Sequence, residues 1–166
     1  MSNASIMYLK YNSYFGLSEK LVFKPGLFLG YTFSTNLKVV PYVENGFDTQ
    51  IPAVQHLFAF GGINPVNYLE NHVPFTGLKF VERFGLYAAK LSMNFEYNFY
   101  PKLYATFMTD FGINEMSISN IDDIEPLFGY GAKLSYNSFV GPIEIAVMSS
   151  NADRSANMFL NIGYWF

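Results

Sequence analysis

At 166 residues the chain has the length of one domain; 51% of its residues are hydrophobic, and Phe and Tyr number 18 and 13. Charged residues make up 14% and the net charge is −3, too apolar for a disordered chain and not basic enough for a nucleic-acid partner. Cysteine is absent, which excludes a disulfide frame, a thiolate metal site and a cysteine nucleophile.

Residues 1–4 have neither the basic start nor the apolar core of a signal peptide, and read as either a tag or a disordered start ahead of a domain spanning 5–166. Met7, Leu9, Tyr11 and Phe15 then alternate with Tyr8, Lys10, Asn12 and Tyr14. That period of two puts successive side chains on opposite faces of a β-strand. Residues 21–33 are a weaker strand, in which Pro25 and Gly26 predict a bulge or bend. This stretch is the richest in apolar residues, yet Lys24, Pro25, Gly26 and Gly30 interrupt it. No window therefore supplies the ~18 apolar residues of a transmembrane helix. Residues 34–80 read as one long irregular stretch.

From Tyr87 the alternation is sustained: Tyr87, Ala89, Leu91, Met93, Phe95, Tyr97 and Phe99 oppose Ala88, Lys90, Ser92, Asn94, Glu96 and Asn98. Leu103, Ala105, Phe107, Thr109 and Phe111 continue it, as do Phe128, Tyr130, Ala132, Leu134 and Tyr136. Ile143, Ile145 and Val147 follow, and Met158, Leu160, Ile162, Tyr164 and Phe166 end it. Tyr100-Pro101-Lys102 and Val140-Gly141-Pro142 predict tight turns on one side, while 114–126 and 151–156 are longer polar loops on the other. Short turns on one side and long loops opposite is the outer-membrane barrel arrangement, and it puts 34–80 on the outer side.

A soluble lipocalin-like barrel would alternate too, with its apolar face inside. Aromatics at strand ends (Tyr97, Phe99, Tyr164, Phe166) instead predict girdles at the bilayer interfaces. Gly129, Gly131, Lys133, Lys90, Glu96 and Glu144 on the other face suit a polar lumen. The expected fold is all-β, an antiparallel transmembrane barrel part of about seven or eight strands with one long inserted loop.

Residues 127–166 resemble the end of the bacterial surface-antigen barrels, a superfamily of outer-membrane assembly factors and two-partner secretion transporters. The resemblance rests on Gly129-Tyr130-Gly131, Gly141-Pro142-Ile143 and Gly163-Tyr164-Trp165-Phe166, in order at strand-length spacing. It implies a Gram-negative outer-membrane location, with membrane lipid and the barrel assembly machinery as partners, and makes Leu160, Ile162, Tyr164 and Phe166 the C-terminal assembly signal. Phe60, Gly61 and Gly62, followed by Phe75, Thr76 and Gly77, look like the family's inserted-loop motif. In the family that loop folds back into the barrel and an arginine meets a lumen acid; Thr76 stands at the arginine's position. Asn64-Pro65 and His72-Val73-Pro74-Phe75 look most like barrels fused behind patatin-like phospholipases. The resemblance thus implies that the upstream part of the same polypeptide carries a lipid acyl hydrolase.

This chain lacks the Gly-x-Ser-x-Gly turn that such an enzyme needs, so no catalysis is expected of it. His56 and His72 are the only histidines; a Ser–His site would set one beside Ser149, Ser150 or Ser155. Asp122, Asp123 and Glu125 have oxygens for calcium but not the regular ligand spacing, and read as a solvated loop. No cofactor or metal is expected. Lys90, Glu96, Asp110, Lys133 and Glu144 are expected to form a lumen charge network; a path for a passing substrate is the sharper alternative. Rival functions are a stand-alone transporter or assembly barrel and a small barrel lipid enzyme. The two strand edges are expected to close on each other, pairing 6–15 with 157–166 in a barrel of seven strands, or eight if 56–62 adds one, with the inserted loop outside the lumen. The alternative is a homo-oligomer, two chains sharing edges.

Overall fold

The computed structural model describes residues 4–34, 39–44, 47–52, 56–63, 71–117, 124–152 and 155–163. It begins with β1 (Ala4–Asn12), the short β2 (Phe15–Gly16) and β3 (Leu21–Ser34). The strands β4 (Val39–Glu44) and β5 (Phe47–Pro52) form a hairpin of their own, and β6 (Phe58–Phe60), β7 (His72–Val73) and β8 (Arg83–Gly85) form a small sheet. Then come the long strands β9 (Tyr87–Tyr100), β10 (Leu103–Glu115), β11 (Leu127–Ser138), β12 (Gly141–Ser150) and the shorter β13 (Asn157–Ile162). The main sheet runs β1-β3-β9-β10-β11-β12-β13, with β2 also on β3, and all of its pairings are antiparallel. The strands β9 to β12 span 14, 13, 12 and 10 residues, against the ~9–11 that cross a bilayer.

Alternation places the side chains as the sequence reads. Leu91, Phe95, Phe107, Phe111, Tyr130, Leu134, Ile145, Val147 and Leu160 are exposed, whereas Ser92, Thr106, Asp110, Ser135 and Glu144 on the opposite face are buried. A soluble barrel would show the reverse. Aromatic clusters mark both ends of the outer face. Tyr31 lies 4.7 Å from Tyr87 and 4.2 Å from Phe33, ring to ring, while exposed Tyr97, Phe99, Tyr100 and Tyr136 crowd the hairpin end.

Tight turns join the long strands. Tyr100 pairs with Leu103 around Pro101-Lys102, with Lys102 at φ 67° and a register shift at Leu103/Tyr104. Ser138 pairs with Gly141, so the second turn is Phe139-Val140, one residue earlier than the sequence suggests.

Four expectations need correction. Pro25-Gly26 makes no bulge: β3 pairs with β9 in unbroken register, and the β1 and β2 pairings to β3 share one register. Ser13 N–H donates to the Pro25 carbonyl at 3.1 Å, but Pro25 has no N–H to return, so only the ladder is interrupted. The stretch 34–80 is not irregular, since it contains β4 to β7. Residues 56–62 do not extend the main sheet, because β6 belongs to the small sheet. Finally, the sheet does not close: β1 pairs with β3 and β13 with β12, and among the described residues the two edges do not meet. Seven or eight strands would enclose only their own side chains, and here the inner face is already covered by another part of the chain.

Candidate functional site

That cover is built from 56–63 and 71–85, a plug on the polar face of the sheet. It contains the hydrophobic core of the molecule: Phe58, Phe60, Val73, Phe75 and Leu78 are buried, together with Ala88 and Leu127 from the sheet. The two halves of the inserted-loop motif meet here. Phe60 stacks on Phe75 with ring centroids 5.6 Å apart. Gly61 N–H donates to Val73 O (3.2 Å), Gly62 N–H to Leu78 O (3.1 Å), and Phe75 N–H to Gly62 O (2.9 Å). Gly61, Gly62 and Gly77 have φ of 142°, 72° and 89°, a region that side chains other than glycine disfavour.

The plug grips the sheet through polar groups. Asn114 Nδ2 donates to Phe58 O (3.1 Å), Thr32 Oγ1 to His56 O (2.8 Å) and Asn157 Nδ2 to Gly77 O (3.1 Å). Thr76 N–H donates to Asp110 Oδ2 at 2.7 Å. Lys90 Nζ bonds the Pro74 carbonyl and lies 3.6 Å from Asp110 Oδ1. So the loop tip meets an inner-face acid through a backbone N–H, with no basic side chain at Thr76 to replace the family's arginine, while the cation comes from the neighbouring strand. Close approach is allowed by Gly129: a Cβ there would overlap the Thr76 carbonyl oxygen.

The five expected inner-face charges resolve into three pairs. Lys90 pairs with Asp110, and Lys133 with Glu144 at 2.7 Å. Glu96 takes Lys24 at 2.7 Å, a partner the sequence reading missed. The signal was present, because Lys24 keeps the inward phase of Val22, Phe28 and Thr32 through Pro25-Gly26; the expected bend concealed it. Ser135 Oγ and Asn161 Nδ2 also donate to Glu144, at 3.2 and 3.3 Å.

Of the C-terminal signal residues, Leu160 and Ile162 project from the outer face, 63% and 67% exposed; Tyr164 and Phe166 lie outside the described residues. So do Asp122 and Asp123, while Glu125 pairs with Arg83 at 3.2 Å. Among the described residues no cluster of three or more His, Cys, Asp or Glu could hold a metal ion. His72 is buried, and its Nε2 lies 2.7 Å from Gly61 O. A carbonyl only accepts, so Nε2 carries the proton in the neutral ring. Burial holds the His72 pKa below its ordinary value; the Gly61 hydrogen bond opposes this and the Lys90 charge adds to it.

Comparison with known proteins gives one family. The model described as the OMP85 superfamily matches residues 5–166. Among curated proteins, none matches the chain.

Proposed function

Since the chain belongs to the OMP85 superfamily, we propose that it is the plugged, lipid-spanning barrel part of an outer-membrane protein that anchors or translocates a patatin-like lipid acyl hydrolase. One observation carries the barrel role: apolar side chains are exposed on one face of every long strand, while Ser92, Thr106, Asp110, Ser135 and Glu144 on the opposite face are buried. A solvent other than water must meet the outer face, and lipid is the one in which this arrangement is stable. The hydrolase rests on less, namely the likeness of Asn64-Pro65 and His72-Val73-Pro74-Phe75 to barrels fused to such enzymes. In this role Leu160, Ile162, Tyr164 and Phe166 address the assembly machinery of a Gram-negative outer membrane.

The charge pairs and backbone bonds that hold the plug support a second reading, a transporter or assembly barrel with no enzyme. Ester-lipid hydrolysis by outer membranes carrying this chain, or the whole polypeptide its gene encodes, separates the readings. The anchor reading expects activity from the whole polypeptide and none from this chain. Silence from both favours the transporter. Activity in this chain that is lost on changing His56 or His72 would overturn both in favour of a barrel enzyme.

A further inference from the structure

The turn Lys79-Phe80-Val81-Glu82 ties the two halves of the plug together, in a conformation that its sequence resists. Val81 has φ 53°, in the left-handed region that a β-branched side chain occupies only under strain. Glycine or asparagine is the ordinary residue there. The packing of the docked plug holds the turn in place. Its Lys79 carbonyl oxygen lies only 1.9 Å from where a Cβ on Gly61 would stand, and Gly62 N–H donates to Leu78 O (3.1 Å). Glu82 closes the turn: its N–H donates to Phe60 O (2.9 Å), and its carboxylate accepts from Lys79 N–H (2.5 Å).

Unpaired polar atoms add a second cost. Among the described residues three buried side-chain atoms have no hydrogen-bond partner. One is in the plug, His72 Nδ1, and one is on the residue that clasps Phe58, Asn114 Oδ1; the third is Asn94 Oδ1 of β9. Water satisfies such atoms once they are uncovered. Elsewhere on the inner face Glu144 is met by Lys133, Ser135 and Asn161. Burial of Phe58, Phe60, Phe75 and Leu78 holds the plug down against these costs. We propose that the plug is a strained lid, which loosens at 79–82 and lifts from the sheet while the long strands stay paired, uncovering the polar face. The strain at Val81 and the unpaired atoms of His72 and Asn114 are relieved only in the lifted form. That narrows the gap between the two forms and makes lifting a local event, separate from unfolding of the sheet. The inference holds whether or not the whole polypeptide carries an enzyme.

The test is hydrogen exchange at single amides, followed by NMR in the full chain in lipid nanodiscs. Thr76 N–H, bonded to Asp110, reports the contact of plug and sheet, Gly62 N–H reports the interior of the plug, and Thr106 and Met108 report β10. Both plug amides are expected to exchange about a hundredfold or more faster than the two in β10. Val81→Asn, which suits the left-handed region, should slow the plug amides about tenfold and leave β10 unchanged. Val81→Ile keeps the branched side chain and the strain, and should not slow them. Plug amides that exchange only as slowly as those of β10 would overturn the proposal. So would plug amides that exchange no more slowly in Val81→Asn than in Val81→Ile.

Discussion

A single hydrogen atom at position 129 decides whether the plug can lie on the sheet. Gly129 pairs with Asp110 on one side and Ser150 on the other, and the Thr76 carbonyl rests where its side chain would be. The obstacle is backbone on both sides, so neither group can rotate away. Gly129→Val therefore displaces the loop tip and breaks the bond from Thr76 N–H to Asp110, at a cost of about 1–3 kcal/mol for the buried group left unpaired. Trypsin cleavage at Lys79 or Arg83 should accelerate, with the circular-dichroism strand signal unchanged; an unaltered cleavage rate would refute the close approach. His72 gives a second lever. Its pKa is lowered in the docked plug and returns towards the ordinary 6.5 when the plug is released. The released form thus binds the proton better, so docking is strongest above that value and weakens as pH falls through it towards the lowered value. The same cleavage should be faster at about pH 5.5 than at 7.5, and His72→Asn should flatten the difference.

The long strands and the plug differ in how plainly the sequence declares them. Strands β9 to β12 hold one phase for 10–14 residues, and a bilayer on one side permits no exchange of faces, so alternation alone locates them. The plug strands β6, β7 and β8 have three, two and three residues, too few for any period to register. They are fixed by contacts distant in sequence, such as Asn114 to Phe58 and Asn157 to Gly77, many of them to backbone atoms that carry no sequence signal. Only the likeness of Phe60-Gly61-Gly62 and Phe75-Thr76-Gly77 to a family motif pointed there, and even it left open how a threonine could meet the acid. Pro25 misled for the opposite reason: its missing N–H interrupts a ladder without disturbing the phase. The strand assignment has a depth-dependent consequence. Ala132 is exposed at the middle of β11, whereas Phe139 is 99% exposed in the β11–β12 turn. Ala132→Arg should destabilise the protein by about 2–4 kcal/mol and Phe139→Arg by about 0–1 in a lipid-refolding titration. Equal losses would mean that β11 does not cross the bilayer.

At the scale of the whole molecule, the sheet is inverted relative to a water-soluble domain. Its core is the plug and the polar face beneath, its exterior a continuous apolar surface. Among the described residues the edges β1 and β13 do not pair with each other, and in lipid open backbone groups require partners. The orientation of the faces is the claim on which everything else depends, since the plug and the charge pairs both presuppose a lumen side. Because the chain contains no cysteine, single cysteines can be placed and spin-labelled one at a time along 128–136 without background. In lipid vesicles, collision rates with oxygen, which partitions into the bilayer, should rise and fall with a period of two. Maxima are expected at positions 128, 130, 132, 134 and 136, and minima at 129, 131, 133 and 135. The opposite phase, or no period of two, would contradict the account.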